Sequence, residues 1–400
     1  MISAAKRLDD VTTYYFARKL AEIDSMNKDG GKQVLNLGIG SPDLMPPQIV
    51  IDTLCQALSL PDAHKYQSYK GIPNLRKAFS GWYKNHFDVE VNPETQILPL
   101  IGSKEGVMHA SMSFINPGDQ VLVPDPGYPS YSMCTRLAGG IPIPMSLEEK
   151  LGWKPDLSKL RERDLSKVKL MWINYPNMPT GAKADVRFFT ELVAFAKEYN
   201  ILICHDNPYT FILNDHPLSI FNVSGAEECA IELVSLSKCY NMAGWRVGAF
   251  IGSKPYIDTI MTFKSNMDSG MFKPVQEAAA VALSLGKEWI EDLNEKYLER
   301  KEAACEIMLE LDLEFDTDGA GLFVWGKIKE NNLDSETLTN QILYDSRVFI
   351  TPGHIFGANG DKYLRISLCS SKDDIKLALQ RIRQGLITDN VENSHLNTNI

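Results

Sequence analysis

The chain has 400 residues, with 41 Lys and Arg against 51 Asp and Glu and a net charge of -10. That balance gives no general basic footprint for nucleic acid or an anionic membrane, and without an uncharged apolar run of about 18 residues no membrane span is expected. The seven cysteines lack Cys-x-x-Cys spacing and sit in scattered apolar contexts, as reduced thiols do, and no apolar leader follows Met1, so the expected location is cytoplasmic.

The length suits one large and one smaller domain. Residues 1–45 show little periodicity and are expected to form an arm that contributes to the smaller domain. From 46 to 285, strand-like apolar runs alternate with helical stretches. Strands are expected at Ile97–Ile101, Val121–Val123, Ile141–Ile143, Val168–Ile173, Ile201–Cys204, Leu233–Ser235 and Val247–Ile251, with a helix over Phe188–Tyr199. Such alternation predicts an α/β fold, a mixed sheet covered by helices. The character changes after 285. A long amphipathic helix over Trp289–Leu311, strands at Leu322–Trp325, Val348 and Tyr363–Leu368, and helices over Glu336–Tyr344 and Asp373–Leu386 read as a smaller α/β domain, 286–388. The polar residues 389–400 are expected to form a flexible tail.

Several polar residues fall where strands end. Lys238 closes Ser235-Leu236-Ser237-Lys238, and Arg246 lies eight residues on. An amine that must act as a nucleophile needs an accessible neutral form, which partial burial and nearby positive charge both favour; a lone Ser-Lys pair is otherwise an ordinary strand end. Asp206 follows the buried run Ile201–His205, and Tyr209 stands three residues further. Such an acid can pair with a protonated ring nitrogen, or merely cap the next segment. Gly102-Ser103-Lys104 marks a strand-to-helix turn whose N–H groups suit a phosphate, with Ser235, Ser237 and Arg246 candidates for its other side. Tyr128, in a Pro-Gly turn, offers a ring for stacking or for simple packing. His205 reads as a packing histidine, and the remaining histidines show no metal-like spacing.

Taken together in this order, the segments from about 33 to 385 resemble the class I/II aminotransferases, pyridoxal phosphate-dependent enzymes of fold type I. The resemblance implies a large mixed-sheet domain with a smaller α/β domain and a ping-pong transfer of an amino group between an L-amino acid and a 2-oxo acid. It further implies Lys238 as the Schiff-base lysine, Asp206 against the pyridine nitrogen and Tyr209 on the ring oxygen. Gly102, Ser103, Lys104, Ser235, Ser237 and Arg246 would form the phosphate cup, and Tyr128 would stack on the ring. Arg365, in Tyr363-Leu364-Arg365-Ile366-Ser367, matches the arginine that grips the substrate α-carboxylate, with Gly38 and Asn174 beside it. Tyr66 matches a tyrosine that reaches the phosphate of a second subunit, implying a homodimer with shared sites.

One position departs from the family pattern. The turn usually reads Asn-Pro-Thr-Gly, but here Met178 precedes Pro179-Thr180-Gly181, with Asn177 one place earlier. A thioether cannot donate to the ring oxygen, so Tyr209 carries that contact alone or Asn177 or Asn174 reaches in through a shifted turn. The scaffold also supports a carbon–sulfur β-lyase, and, more remotely, a non-catalytic regulatory protein that binds the same cofactor. The side-chain specificity is not legible, although Tyr14, Tyr15 and Phe16 offer an apolar wall.

Overall fold

A computed structural model describes residues 2–9, 11, 15–329 and 333–396, with side chains as far as 385. Tyr14 lies outside these residues. The tail expected over 389–400 falls beyond the described side chains, and its last four residues beyond the described backbone.

An eight-stranded sheet forms the centre, in the order Ile97–Leu100, Gly248–Gly252, Ala230–Ser235, Leu202–Asp206, Val168–Asn174, Gln120–Asp125, Ile141–Glu148 and Lys154–Pro155. The strands from Ala230–Ser235 to Ile141–Glu148 run parallel, and Gly248–Gly252 is antiparallel to both of its neighbours. Strands buried on both faces need no polar alternation. In Val168–Asn174, Leu170 and Trp172 pack on one side of the sheet with Val107 and Tyr131, while Met171 and Ile173 pack on the other with Phe188 and Leu192.

The covering helices begin and end where their chemistry dictates. Val186–Tyr199 opens on Asp185, whose carboxylate accepts from the Phe188 N–H at 2.7 Å, and closes on Asn200 in the left-handed region. Pro73–Phe87 starts with proline at its first position, where no N–H is needed.

A second, four-stranded antiparallel sheet runs Leu313–Phe315, Phe323–Ile328, Tyr363–Ser367, Thr351–Pro352. The helices Lys287–Glu310, Ser335–Ser346 and Lys372–Leu396 accompany it. Leu35–Asn36 pairs in parallel with Val348–Phe349, joining two parts of the chain far apart in sequence. The segment read as aperiodic contains a helix, Tyr15–Lys28, that buries only Phe16 and Ile23. Two core contacts seven residues apart leave too narrow an apolar stripe to stand out by periodicity.

Candidate active site

Strand direction gathers the site. Asp206, Asn174 and Ser235 end parallel strands and so share one edge of the sheet. Leu100 and Ser235 are both paired with Gly248, which brings the turn after Leu100 and the approach to Gly248 to that same edge. Gly102-Ser103 and Arg246, more than 140 residues apart in sequence, therefore face one another. A cleft of about 460 Å³ opens there, lined among others by Ser103, Lys104, Tyr128, Asn174, Asp206, Tyr209, Ser235, Ser237, Lys238, Arg246 and Arg365.

Lys238 sits in the single turn Leu236–Cys239 and donates from Nζ to the Gly40 carbonyl at 2.5 Å. Burial holds its ammonium below the usual lysine range, and the charges of Arg365 and Arg246 push the same way, against Cys369 and Asp206. Asp206 shows the opposite tendency of a buried acid. Burial pushes its carboxyl up to about 6, opposed by the Tyr131 hydroxyl, which donates to Oδ2 at 2.7 Å, and by His205 and Lys238. Its other oxygen, Oδ1, is buried without a hydrogen-bond partner.

His205 occupies the opposite face, as alternation along a strand requires. Its Nε2 lies 3.1 Å from the Tyr175 carbonyl and its Nδ1 2.9 Å from Glu232 Oε1. Glu232 also accepts from Tyr83, Ser219 and Asn207 at 2.7, 2.5 and 3.0 Å. Burial alone would raise the Glu232 carboxyl; this ring of donors, His205 foremost, brings it below the ordinary range. A satisfied anion thus braces the strand beneath Asp206.

Gly102 has φ +84°, and a Cβ there would collide with the Arg246 guanidinium. Only glycine permits that approach. Ser103 begins the helix Ser103–Phe114 and lines the cleft with Lys104, so the helix start with its unpaired N–H groups lies at the cleft, and Ser235 Oγ accepts from the Ser237 N–H at 3.1 Å. Arg246 adopts φ +58° and donates to the Ala243 carbonyl at 2.8 Å. Tyr128 packs edge-on against Tyr131, centroids 5.5 Å apart.

The turn after Asn174 differs from the expected donor set. Asn174 spends its amide on the Asp206 carbonyl at 2.7 Å and its Oδ1 on the Met178 N–H at 2.7 Å. Asn177 is turned into the loop, donating to the Asn174 carbonyl at 3.2 Å and accepting from the Thr180 hydroxyl at 2.8 Å. The expectation that Asn177 binds the cofactor gains no support from this geometry, because holding the turn occupies both ends of its amide. Met178 faces the cleft instead, its Sδ 3.2 Å from Arg365 Nη1.

Arg365 Nη2 donates to the Gly38 carbonyl at 2.6 Å, which also accepts from the Thr351 hydroxyl at 2.8 Å. The guanidinium lies 3.9, 4.6 and 5.5 Å from the ring centroids of Phe323, Phe356 and Phe16. Past Gly40 the same segment is anchored by Asp43, held bidentately by Arg300 at 2.6 and 2.9 Å. Tyr66 is 90 % exposed and lies outside the lining of its own chain's cleft.

Phe16, expected as part of an apolar wall, does stand against Arg365, whereas Tyr131, Phe323 and Phe356 were given no part in the site by the sequence reading. Tyr131 had a signal, standing one helical turn after Tyr128 and so on the same face; the phenylalanines arrive from three separate segments. Glu105 and His109, one turn apart on the helix Ser103–Phe114, also converge with Asp268, candidate ligand atoms lying within 4.8 Å of one another, although nothing in the sequence brings Asp268 to them. The Lys264 ammonium, 2.6 Å from Asp268, already supplies a cation there.

The residues fit pyridoxal phosphate. A buried carboxylate oxygen without a partner suits a protonated ring nitrogen, a helix start facing a guanidinium across a glycine suits a phosphate, and a lysine biased toward its neutral form suits an aldehyde. Fold and site together define a pyridoxal phosphate-dependent aminotransferase of fold type I.

Comparison with known proteins agrees. The family model described as aminotransferase class I and II matches residues 32–382, and the chain belongs to that family. It is 39 % identical over 388 residues to an LL-diaminopimelate aminotransferase of Aquifex aeolicus, covering 96 % of this chain and 99 % of that one. It is 40 % identical over 381 residues to one of Desulforudis audaxviator, covering 95 % and 97 %. Among solved structures, substrate-bound BacF from Bacillus subtilis superposes with a TM-score of 0.92 at 34 % identity, covering 96 % and 98 %. The protein transfers amino groups between amino acids and 2-oxo acids with pyridoxal phosphate.

Proposed function

We propose that Lys238 is the residue that bonds the cofactor aldehyde and then serves as the acid–base group of the transfer. When bound, pyridoxal phosphate supplies the aldehyde and an electron-withdrawing ring that makes an amino acid's α-proton acidic. Lys238 would hold the aldehyde and, as a free amine, would move the proton at the substrate α-carbon; burial, which holds its ammonium below the usual lysine range, biases it toward the neutral form that task needs. Asp206 Oδ1 would accept from the ring N–H, with Tyr131 fixing the other carboxylate oxygen, and Tyr209 would donate to the ring oxygen. Gly102, Ser103, Lys104, Ser235, Ser237 and Arg246 would hold the phosphate, and Tyr128 would stack on the ring. Arg365 grips the α-carboxylate beside Gly38, with Asn174 shaping that wall through the Asp206 carbonyl and the Met178 N–H.

Residues 46–285 form the cofactor-binding unit in this reading, and 286–388 with the arm form the smaller one. Two copies share sites in the cytoplasm, each lending Tyr66 to the other; the exposure of that ring supports the arrangement. The observation that carries the function is the buried Asp206 oxygen facing the same cleft as a depressed lysine. Replacing Lys238 with Ala should abolish both the absorption band of the lysine-bound cofactor and transamination, by at least a factor of about 1,000 in kcat. Retention of near wild-type turnover would refute the assignment, and pyruvate with ammonia formed from a cysteine conjugate without any oxo acid acceptor would favour the β-lyase reading.

A further inference from the structure

We infer that the amino donor of this site carries an uncharged apolar side chain, and that Phe16, Leu20 and Met178 select it. The inference rests on the roles assigned above and concerns what remains of the cleft once those roles are filled. The charged groups described in its lining are Lys104, Asp206, Lys238, Arg246 and Arg365. Each is already engaged, at the phosphate cup, at the ring nitrogen, at the aldehyde or at the α-carboxylate. Apolar residues of the lining that hold no such role include Phe16, Leu20, Ile39, Met178, Phe323 and Phe356, and of these Phe16, Met178, Phe323 and Phe356 stand against Arg365.

These side chains are placed by independent elements. Phe16 and Leu20 stand four residues apart on the helix Tyr15–Lys28 and so present one apolar edge. Phe323 begins a strand of the smaller sheet, and Phe356 follows Thr351–Pro352. Met178 stands where the family turn places asparagine, and its thioether meets the guanidinium at 3.2 Å. The exchange replaces an amide with a soft, adaptable apolar surface. A substrate anchored at Arg365 by its α-carboxylate must turn its side chain toward some part of this wall.

A second carboxylate or ammonium placed against it would lose water without gaining a counter-charge from the described lining of this chain. An aromatic or thioether side chain instead buries apolar area, and differences of a few methylene groups in such pockets change kcat/KM by tenfold or more. LL-diaminopimelate, named in the relatives, carries both extra charges. The described acid in the lining is Asp206, 6 % exposed and bonded to Tyr131.

The test is a half-reaction screen of the holoenzyme, following conversion of bound pyridoxal phosphate to pyridoxamine phosphate with L-phenylalanine, L-methionine, L-aspartate and LL-diaminopimelate. Phenylalanine or methionine should exceed the two charged donors at least tenfold in kcat/KM. Calorimetry should show 3-phenylpropanoate binding at least tenfold tighter than succinate. Leu20→Arg, at a helix position that is 37 % exposed, should lower the phenylalanine-to-aspartate ratio at least tenfold. Preference for aspartate or LL-diaminopimelate, equal binding of the two carboxylates, or an unchanged ratio in the variant would each overturn the inference while leaving the aminotransferase reading intact. Conversion by none of the four donors would likewise overturn the inference.

Discussion

A carboxyl group buried beside an empty hydrogen-bonding direction stabilises its protein only while it stays protonated. Asp206 is pushed up to about 6 by burial, above an unfolded value near 3.9. Its contribution to the stability of the cofactor-free protein is therefore fully present below about pH 4 and is lost as pH rises through 6. Above that pH the difference amounts to something on the order of 3 kcal/mol. Asp206→Asn should accordingly raise the melting temperature of the cofactor-free protein at pH 8 relative to wild type, with a much smaller gain at pH 4. The same substitution should weaken cofactor retention at pH 8, since an amide cannot neutralise a ring cation. Equal melting shifts at the two pH values would show that Asp206 is not the group that titrates. Met178 teaches a related lesson at the scale of one side chain. The missing amide donor is visible in the sequence, but the thioether's contact with Arg365 spans 187 positions and becomes visible only in the fold.

Secondary structure elements act here by where they end. The continuous apolar runs that end at Asn174, Asp206 and Ser235 made their strands legible, and with them the acid, the serines and the lysine that follow. The helix Tyr15–Lys28, the carbonyls of Gly38 and Gly40 and the hydroxyl of Thr351 were not legible in the same way. Backbone acceptors carry no residue signature, and a helix burying two side chains has little periodic signal. The segment from Gly38 to Asp43 holds both Lys238 and Arg365 through carbonyls, so its anchor at Arg300 should matter to substrate binding. Arg300→Lys keeps the charge but loses the two-pronged grip on Asp43. It should raise KM for the amino donor about three- to tenfold while changing kcat less than about twofold, at a cost of about 1–2 kcal/mol in stability. Steady-state kinetics separates the outcomes: a fall in kcat with KM unchanged would place the effect on the chemistry instead.

At the scale of the whole molecule, the proposed exchange of Tyr66 between subunits makes a geometric prediction that no single chain can mimic. Subunits carrying Lys238→Ala and subunits carrying Tyr66→Ala should each be impaired alone. Hybrid dimers formed by refolding the two together should regain one competent site, pairing an intact Lys238 with an intact Tyr66 from the other subunit. Recovery above the sum of the separately refolded variants supports sharing, and activity no higher than that sum rules it out. The two-sheet architecture was largely legible from the alternation of strands and helices and its change after residue 285. The closure of the small β-pair, by contrast, depends on register between Leu35–Asn36 and Val348–Phe349, which no local pattern announces.

That pairing also sets an order of events during synthesis. All eight strands of the central sheet have been made once residue 252 has emerged, so the lysine, the acid and the phosphate cup can assemble while translation continues. Gly38, made long before, waits for Thr351 and Arg365 to complete its contacts. On the proposed assignment, every residue this chain itself offers the cofactor is therefore synthesised before Thr351 and Arg365, while a phosphate site that borrows Tyr66 is complete only once a second subunit has joined.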